Sequence, residues 1–256
     1  MSIYLISLQK DVERRECIQQ NFSNYYEKMK LIDTVYGSTL SQEFVINATR
    51  GYFNKYHKQM SSGELGCTLS HIKALENFVA SDSNLGLILE DDVIGNDSDI
   101  EKIKNLSIPM DDNIIVICGG QQYSGKAKYL LGKNVPEYDE LMLIPKPLYS
   151  NLIRTCSYLV TKKSAQTILN SHKKFINVAD FWGDILFEAD TKVYYINLFQ
   201  HPDPNFCDSN LNHERGSKPH NKGRKVFFSI GKEITRIYRR LEVLSYRLLG
   251  YVNVKT

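Results

Sequence analysis

The sequence predicts a protein of the α/β class. Short apolar runs suited to buried strands alternate with segments of helical periodicity along most of its 256 residues. An apolar content of 42% with 24% charged residues is typical of a folded globular protein, and a chain of this length can bury one large core. We therefore expect one main domain over residues 1–220, followed by a helical tail over residues 221–256.

The first third of the chain contains two predicted strands and two predicted helices. Residues 2–8 predict a strand, residues 11–26 a helix and residues 31–36 a second strand. Residues 38–60 show no clear period, so we expect an irregular excursion that could act as a lid. Ser61 or Ser62 is suited to cap the next helix, whose apolar residues recur at three- and four-residue steps (Leu65, Leu69, Ile72, Leu75 and Val79).

The rest of the main domain continues the alternation. The pattern predicts buried strands at 85–89 and 114–118, then loops and hairpins over 119–150. Further along, we expect a strand at 157–160, a helix at 163–171, a helical patch at 180–189 and a strand at 192–198.

Three consecutive carboxylates, Glu90, Asp91 and Asp92, follow the apolar run 85–89 directly. Ligands of α/β proteins bind where strands end, and adjacent carboxylates are tolerated best where a divalent cation offsets their charge. If the backbone stays extended, Glu90 and Asp92 share one face and Asp91 points to the other. The alternative is a solvated acidic turn without a ligand.

Cysteine usage and the N-terminus favour a cytoplasmic protein. The five cysteines include no CxxC pair, and their odd number favours a reducing compartment. Residues 1–10 lack a basic leader, and no apolar run is long enough to cross a bilayer. The net charge of +3 is too small to indicate a general nucleic-acid-binding protein, so we expect no nucleic acid as partner.

Two motifs resemble the signatures of glycosyltransferase family 25. They are the decapeptide SGELGCTLSH at residues 62–71 and the heptapeptide LILEDDV at residues 87–93, with supporting similarity at residues 3–8, 13–15 and 31–37. This family includes bacterial lipooligosaccharide galactosyltransferases and collagen-modifying galactosyltransferases. The resemblance implies a GT-A-like, Rossmann-type sheet flanked by helices and a nucleotide-sugar donor, most often UDP-galactose. Tyr36 departs from the pattern, because members often carry an aspartate there.

The resemblance also implies roles around the acidic tripeptide. Asp92 is the expected first ligand of Mn²⁺ or Mg²⁺, with Glu90 and His201 as further candidate ligands, and Asp91 is expected to reach the donor ribose. A loop histidine such as His201 is more often structural. Donor contacts are expected from residues near the strand ends and on the following helices (Ser7, Leu8, Arg14, Arg15, Ser70 and His71). For the two arginines a solvated helix face is the alternative, and His71 could equally be a satisfied helix residue.

An inverting transferase needs a base for the acceptor hydroxyl, usually a carboxylate. Asp180 is the candidate, with Asp184 as its rival, and Trp182 could stack on a sugar face. The alternative for Asp180 is an N-cap of the following helix. Ser209 and Arg215 resemble the closing serine and arginine of the family, and Arg215 could neutralise the leaving diphosphate.

The C-terminal tail predicts a basic amphipathic helix. Apolar residues recur at steps of three and four beside several arginines (Phe227, Ile230, Ile234, Ile237, Leu241, Leu244 and Leu248). Such a helix could lie on an anionic membrane surface, pair with a partner helix or cover the core. We favour the membrane, because a lipid-linked acceptor would be found there.

These observations predict an inverting transfer of galactose from UDP-galactose to a sugar hydroxyl of a lipooligosaccharide, at the inner face of the cytoplasmic membrane. Glucose or an N-acetylated sugar remains open as the transferred group. A metal-dependent phosphodiesterase and a non-catalytic peripheral membrane assembly module are the alternatives.

Overall fold

The computed structural model describes residues 1–109, 112–138, 140–203 and 240–254. These residues form a mixed sheet whose strands are, in chain order, β1 Ser2–Ile6, β2 Met29–Leu31, β3 Leu85–Glu90, β4 Ile114–Gly119, β5 Leu131–Asn134, β6 Met142–Ile144, β7 Ser157–Thr161, β8 Lys192–Phe199 and β9 Val252–Asn253. The helices are α1 Val12–Asn21, α2 Gln42–Ala48, α3 Arg50–Tyr56, α4 Ser62–Val79, α5 Asp97–Asn105, α6 Lys162–Lys174, α7 Trp182–Ile185 and α8 over residues 240–248. The predicted α/β class is confirmed.

Helices cover both faces of the sheet, because each central strand buries alternate residues on opposite sides. On one face, α4 and α6 pack against one set of strand residues, which includes Tyr4 and Ile88. On the other, α1 and α5 pack against the neighbouring set, which includes Leu5 and Leu89. The sheet is therefore the middle layer of three, and β3 is buried on both faces as its continuous apolar run predicted.

The strand order β2-β1-β3-β7-β4-β8-β6-β5-β9 sets the position of the functional edge. Strand β3 is parallel to β1, while β7 runs antiparallel between β3 and β4. The start of β7 therefore lies at the same edge as the ends of β1, β3 and β4. Residues that precede β7 therefore lie at the edge where α/β proteins bind ligands.

Helix α4 begins as the sequence predicts, with Ser61 rather than Ser62 as its N-cap. The Ser61 hydroxyl accepts a hydrogen bond from the Glu64 amide at 3.1 Å, and the Glu64 carboxylate accepts one from the Ser61 amide at 2.9 Å. Such a reciprocal cap satisfies two amides that the helix leaves unpaired and stabilises a helix by about 1 kcal/mol. It fixes the end of α4 that faces the functional edge.

Two predictions for residues 31–60 are wrong. The second strand is Met29–Leu31: after the Ile32 amide donates to the Leu5 carbonyl at 3.0 Å, side chains hold the chain against β1, as where the Thr34 hydroxyl donates to the Ser7 carbonyl at 3.0 Å. Residues 38–60 are not irregular, since they contain α2 and α3. The exposed apolar side chains Phe44 and Phe53 break the periodicity by which a helix is recognised in sequence.

The described end of the tail packs onto the main domain. Strand β9 pairs with β5, and Val243 and Val254 are buried in the same core as α4 and α6. The predicted boundary at residue 220 and the apolar positions from Phe227 to Ile237 lie outside the described residues. Within the described part of the chain, no helix has the length and apolarity needed to cross a membrane.

Candidate functional site

A cavity of about 380 Å³ opens where β1 and β3 end. The loop over residues 34–38 and the first turns of α4 form its other walls. Predicted site residues that line it are Ser7, Leu8, Arg14, Ser70, Glu90, Asp91 and Asp92. The structure thus brings the acidic tripeptide together with most of the predicted donor contacts.

Two glycines allow the loop and α4 to form one wall. A Cβ at Gly66 would lie 2.6 Å from the Gly37 amide nitrogen, and a Cβ at Gly37 would lie 2.0 Å from the Ser62 carbonyl oxygen. Contacts that short are not possible, so only glycine permits this approach. Gly66 of the decapeptide and Gly37 of the similar stretch 31–37 therefore have a packing role at the cavity.

The backbone turns directly after Glu90, and the Val93 amide donates to the Glu90 carbonyl at 3.2 Å. The chain is therefore not extended through Asp91 and Asp92, which corrects the expected division of the three acids between two faces. All three carboxylates line the cavity, but each meets different partners.

Asp91 is buried and forms an ion pair with Arg14, whose Nη1 lies 3.2 Å from Asp91 Oδ1. Burial raises the pKa of Asp91 to about 6, although the charge of Arg14 acts in the opposite direction. Asp91 Oδ2 is buried and has no hydrogen-bond partner among the described residues. An ionised carboxylate with one unpaired buried oxygen is costly, so this atom is suited to accept a hydrogen bond from a ligand.

Glu90 is held by a chain of hydrogen bonds. His71 Nε2 lies 3.2 Å and Thr155 Oγ1 2.6 Å from Glu90 Oε1, while the Tyr158 hydroxyl lies 3.0 Å from His71 Nδ1. Burial alone would raise the pKa of Glu90, but the bonds from His71 and Thr155 outweigh it and the pKa is lowered. His71 is thus a buried partner of Glu90, and it is not among the cavity-lining residues.

Asp92 lies beside His201, with Asp92 Oδ2 3.3 Å from His201 Nε2. Burial alone would lower the pKa of His201, but the neighbouring Asp92 outweighs it and raises the pKa. Asp92 Oδ1 is buried without a hydrogen-bond partner in the described part of the chain. Asp92 offers a hard carboxylate oxygen of the kind that Mn²⁺ and Mg²⁺ prefer, and His201 can join it as a ligand once its imidazole has lost its proton.

Arg15 and Ser70 hold the walls of the site by backbone contacts. Arg15 donates to the Gln9 carbonyl at 2.8 Å and to the Ser7 hydroxyl at 3.1 Å, and it does not line the cavity. The Ser70 hydroxyl accepts from the Val35 amide at 2.9 Å and donates to the Gly66 carbonyl at 2.8 Å. Both residues fix the shape of the loops that surround the cavity.

The two candidate bases lie in different surroundings. Asp180 Oδ2 accepts a hydrogen bond from the Arg154 amide at 3.2 Å, whereas Asp184 forms an exposed ion pair with Lys55 at 2.6 Å. The N-cap of α7 is Phe181, so the interpretation of Asp180 as the cap of the following helix is wrong.

Trp182 cannot stack on a sugar, because its side chain is fully buried. It packs edge to face on Tyr158, with ring centroids 5.4 Å apart, and donates to the Arg154 carbonyl at 3.0 Å. Ser209 and Arg215 lie outside the described residues.

Sequence reasoning missed Arg154, which precedes β7. Its φ of +61° lies in the left-handed region, where non-glycine residues are uncommon and often functional. The guanidinium donates to the carbonyls of Gly120 and Gln122 at 2.6 Å each. Burial lowers the pKa of Arg154, while Asp92, Asp180 and Glu90 are close enough to act against that shift. Arg154 is thus near both the acidic tripeptide and Asp180.

Tyr36, which departs from the family pattern, lines the cavity. Lys10 Nζ lies 3.2 Å from the Tyr36 hydroxyl and 4.4 Å from the centre of its ring. An aromatic ring at this place is suited to a flat ligand group.

A cavity at the carboxyl edge of an α/β sheet, with acidic side chains in its wall, is the typical place for the ligand site of an α/β enzyme. Residues 1–182 match "Glycosyltransferase family 25 (LPS biosynthesis protein)", and the chain belongs to this family.

Curated relatives include a "Glycosyltransferase 25 family member" of Aedes aegypti and "Procollagen galactosyltransferase 1-B" of Xenopus laevis. They are 35% and 32% identical over 96 residues, which is 36% of this chain and 16% of each relative. "Procollagen galactosyltransferase 1" of Danio rerio is 25% identical over 191 residues, 70% of this chain and 30% of that protein. The chain thus spans about a sixth of the length of the first two relatives.

Similar solved structures include the galactosyltransferase LgtC in complex with donor and acceptor sugar analogues, at 12% identity and a TM-score of 0.38, over 87% of this chain and 80% of that one. A glycosyltransferase involved in glycosylation of the major capsid of PBCV-1 has 10% identity and a TM-score of 0.41, over 84% and 96%. Similarity this loose carries no information about activity.

Proposed function

We propose that the protein transfers galactose from UDP-galactose, with inversion, to a sugar hydroxyl of a lipooligosaccharide acceptor. The observation that carries this proposal is the acidic wall of the cavity, where Asp91 Oδ2 and Asp92 Oδ1 are buried and unpaired. The name of the Xenopus relative supports galactose as the transferred sugar.

The cavity offers separate contacts for the base and for the ribose of a nucleotide sugar. Tyr36, Ser7 and Leu8 offer a ring and strand-end backbone groups for the base, and Asp91 Oδ2 can accept a hydrogen bond from a ribose hydroxyl. Arg14 keeps the charge of Asp91 compensated, since its guanidinium is bonded to the other oxygen.

Asp92 and His201 would hold Mn²⁺ or Mg²⁺ beside the diphosphate. The ion would supply charge neutralisation of the departing UDP. Glu90 remains bonded to His71 and Thr155, so it supports this wall through hydrogen bonds. The buried environment strengthens each of these electrostatic contacts relative to water.

Asp180 is the proposed base. Its hydrogen bond with the Arg154 amide ties its carboxylate to the residues just before β7, a strand that starts at the edge where β3 ends. A carboxylate held there can accept the proton of the acceptor hydroxyl while that oxygen attacks the sugar from the side opposite UDP. Asp184, paired with Lys55 on the surface, is the weaker candidate.

We also propose that α8 docks the enzyme on an anionic lipid surface in the cytoplasm. Leu241, Leu244 and Leu248 are exposed by 60%, 54% and 81%, and Arg240 and Arg247 are exposed on the same helix. Apolar side chains together with arginines are typical of helices that lie in the interface of anionic membranes.

Point substitutions test this docking better than a deletion, because deleting residues 222–256 would also remove β9 from the sheet. The double variant Leu244→Glu and Leu248→Glu should lose co-sedimentation with phosphatidylglycerol vesicles but keep turnover on a soluble acceptor. Binding that persists in this variant would refute the docking. Loss of turnover on the soluble acceptor would instead favour an assembly role for the tail.

A donor screen tests the transfer itself. Purified protein with Mn²⁺ should release UDP from UDP-galactose faster when a galactose-accepting oligosaccharide is present, and Asp92→Asn should reduce the rate by at least 100-fold. Asp82→Asn is the matched control, because Asp82 is exposed in the turn that follows α4. Release of nucleoside monophosphate would instead indicate the phosphodiesterase, and no turnover of any UDP-sugar would refute the proposal.

A further inference from the structure

A second group of potential metal ligands lies behind the acidic tripeptide. Cys67 and His71 are one turn apart on α4, and Glu90 faces them from the end of β3. Cys67 Sγ, one imidazole nitrogen of His71 and a Glu90 carboxylate oxygen all lie within 4.8 Å of one another. Within the part of the chain that the structure describes, this is the one such cluster of three.

The geometry is close to that of a tetrahedral zinc site. Zinc ligands at about 2.0–2.3 Å from the ion are separated from one another by roughly 3.3–3.8 Å. His71 Nε2 and Glu90 Oε1 are already 3.2 Å apart. Cys67 Sγ has to approach the other two ligand atoms by on the order of 1 Å, and rotation about its χ1 bond moves it in this way.

His71 and Glu90 are each held in place by a hydrogen bond from a residue outside the cluster. The Tyr158 hydroxyl holds His71 Nδ1 at 3.0 Å, so that Nε2 faces Glu90. The Thr155 hydroxyl holds the Glu90 carboxylate at 2.6 Å. Such outer hydrogen bonds are characteristic of metal-binding histidines and carboxylates, because they fix the ring and its tautomer.

The cluster is open on one side. Cys67 and Glu90 both line the cavity, so an ion can enter from it and a water molecule can complete the coordination. The ligand set also differs from that of Asp92 and His201. A thiolate favours Zn²⁺ over Mg²⁺ or Mn²⁺, which prefer hard oxygen ligands.

We propose that Cys67, His71 and Glu90 form a tetrahedral site for Zn²⁺, with its fourth position open to the cavity. On binding, the Cys67 thiol loses its proton to solvent and a sulfur–zinc bond forms. His71 gives up the Nε2 proton that it shares with Glu90 and carries a proton on Nδ1 instead, which donates to the Tyr158 hydroxyl oxygen, so that the Nε2 lone pair binds the ion. The site shares Glu90 with the wall of the donor cavity, but its test reads metal binding rather than turnover, so failure of one proposal is distinguishable from failure of the other.

Cobalt(II) is the probe, because it takes the zinc geometry and gives an absorption spectrum. The chelator-treated full-length protein should develop intense tetrahedral d–d bands and a thiolate-to-cobalt charge-transfer band that saturate at one equivalent. One equivalent of Zn²⁺ should abolish both. Cys67→Ser should lose the charge-transfer band, and His71→Gln should weaken binding by 10-fold or more.

Matched controls assign the thiol. Cys17→Ser, on the exposed face of α1, and Cys207→Ser should keep the wild-type spectrum. Asp92→Asn should also keep it, since Asp92 belongs to the other site. Absence of the charge-transfer band from the wild type, or its persistence in Cys67→Ser, would overturn the proposal.

A second measurement needs no variant. In the wild-type protein, Zn²⁺ should slow alkylation of Cys67 by at least 10-fold, as read by peptide mass spectrometry, and leave Cys17 unaffected. Equal alkylation of Cys67 with and without Zn²⁺ would equally overturn the site.

Discussion

Replacing Asp91 with asparagine should stabilise the metal-free protein at neutral pH while removing its affinity for the donor. Asp91 is the buried acid paired with Arg14, and burial raises its pKa to about 6 from the usual 3.8. A carboxyl whose pKa is raised on folding binds its proton more tightly in the folded state. Its ionisation therefore destabilises the fold as the pH rises from 3.8 through 6.

The size of the effect follows from the two pKa values. Each pH unit between them corresponds to about 1.4 kcal/mol, so ionised Asp91 costs about 3 kcal/mol at pH 7.5 and about 0.6 kcal/mol at pH 4. Asparagine carries no charge, but its amide also needs hydrogen bonds in this buried place. We therefore expect Asp91→Asn to gain roughly 1–3 kcal/mol at pH 7.5.

Urea unfolding with a chelator present, at pH 7.5 and at pH 4, measures this difference. The gain in the free energy of unfolding of Asp91→Asn over the wild type should be smaller at pH 4, where Asp91 is protonated in the folded wild-type protein. Asp82→Asn provides the control, because Asp82 is exposed. A variant that is less stable than the wild type at pH 7.5, or a gain that does not change with pH, would refute the reasoning.

Three further predictions concern the cavity. Tyr36→Ala should raise the KM for the donor by about 10-fold with little change in kcat, whereas Tyr36→Phe, which keeps the ring, should stay within 2-fold of the wild type in steady-state assays. Gly66→Ala should lower the free energy of unfolding by roughly 1–3 kcal/mol in urea titrations, because its Cβ would clash with the Gly37 amide. Asp180→Asn should lower kcat by about 100-fold or more, while Asp184→Asn should change it less than 3-fold; similar losses in both variants would argue against Asp180 as base.

Much of the fold could be predicted from local pattern. Strand β3 and helix α4 carry strong signals, one as a continuous apolar run and the other as a periodic apolar face behind a serine cap. Helices α2 and α3 could not be recognised, because they are short and expose part of their apolar residues. Propensity alone is a weak guide for helices of two turns.

The site was only partly predictable. The acidic tripeptide was found because a buried strand leads directly into it. Arg154 and Thr155 were missed because they precede β7, and no local signal shows that this strand runs antiparallel between β3 and β4. Trp182 was misjudged for a related reason: the sequence shows an aromatic residue near an acid, but burial in the core depends on contacts distant in sequence.

The pairing of β9 with β5 has a consequence for how the protein is made. Leu131 pairs with Asn253, about 120 residues later in the chain. A growing polypeptide therefore presents the β5 edge without its neighbour during roughly the second half of its synthesis, and unpaired edges invite association with other chains. Co-expression of a chaperone that shields such edges should raise the soluble yield, more so for variants with a weakened β9.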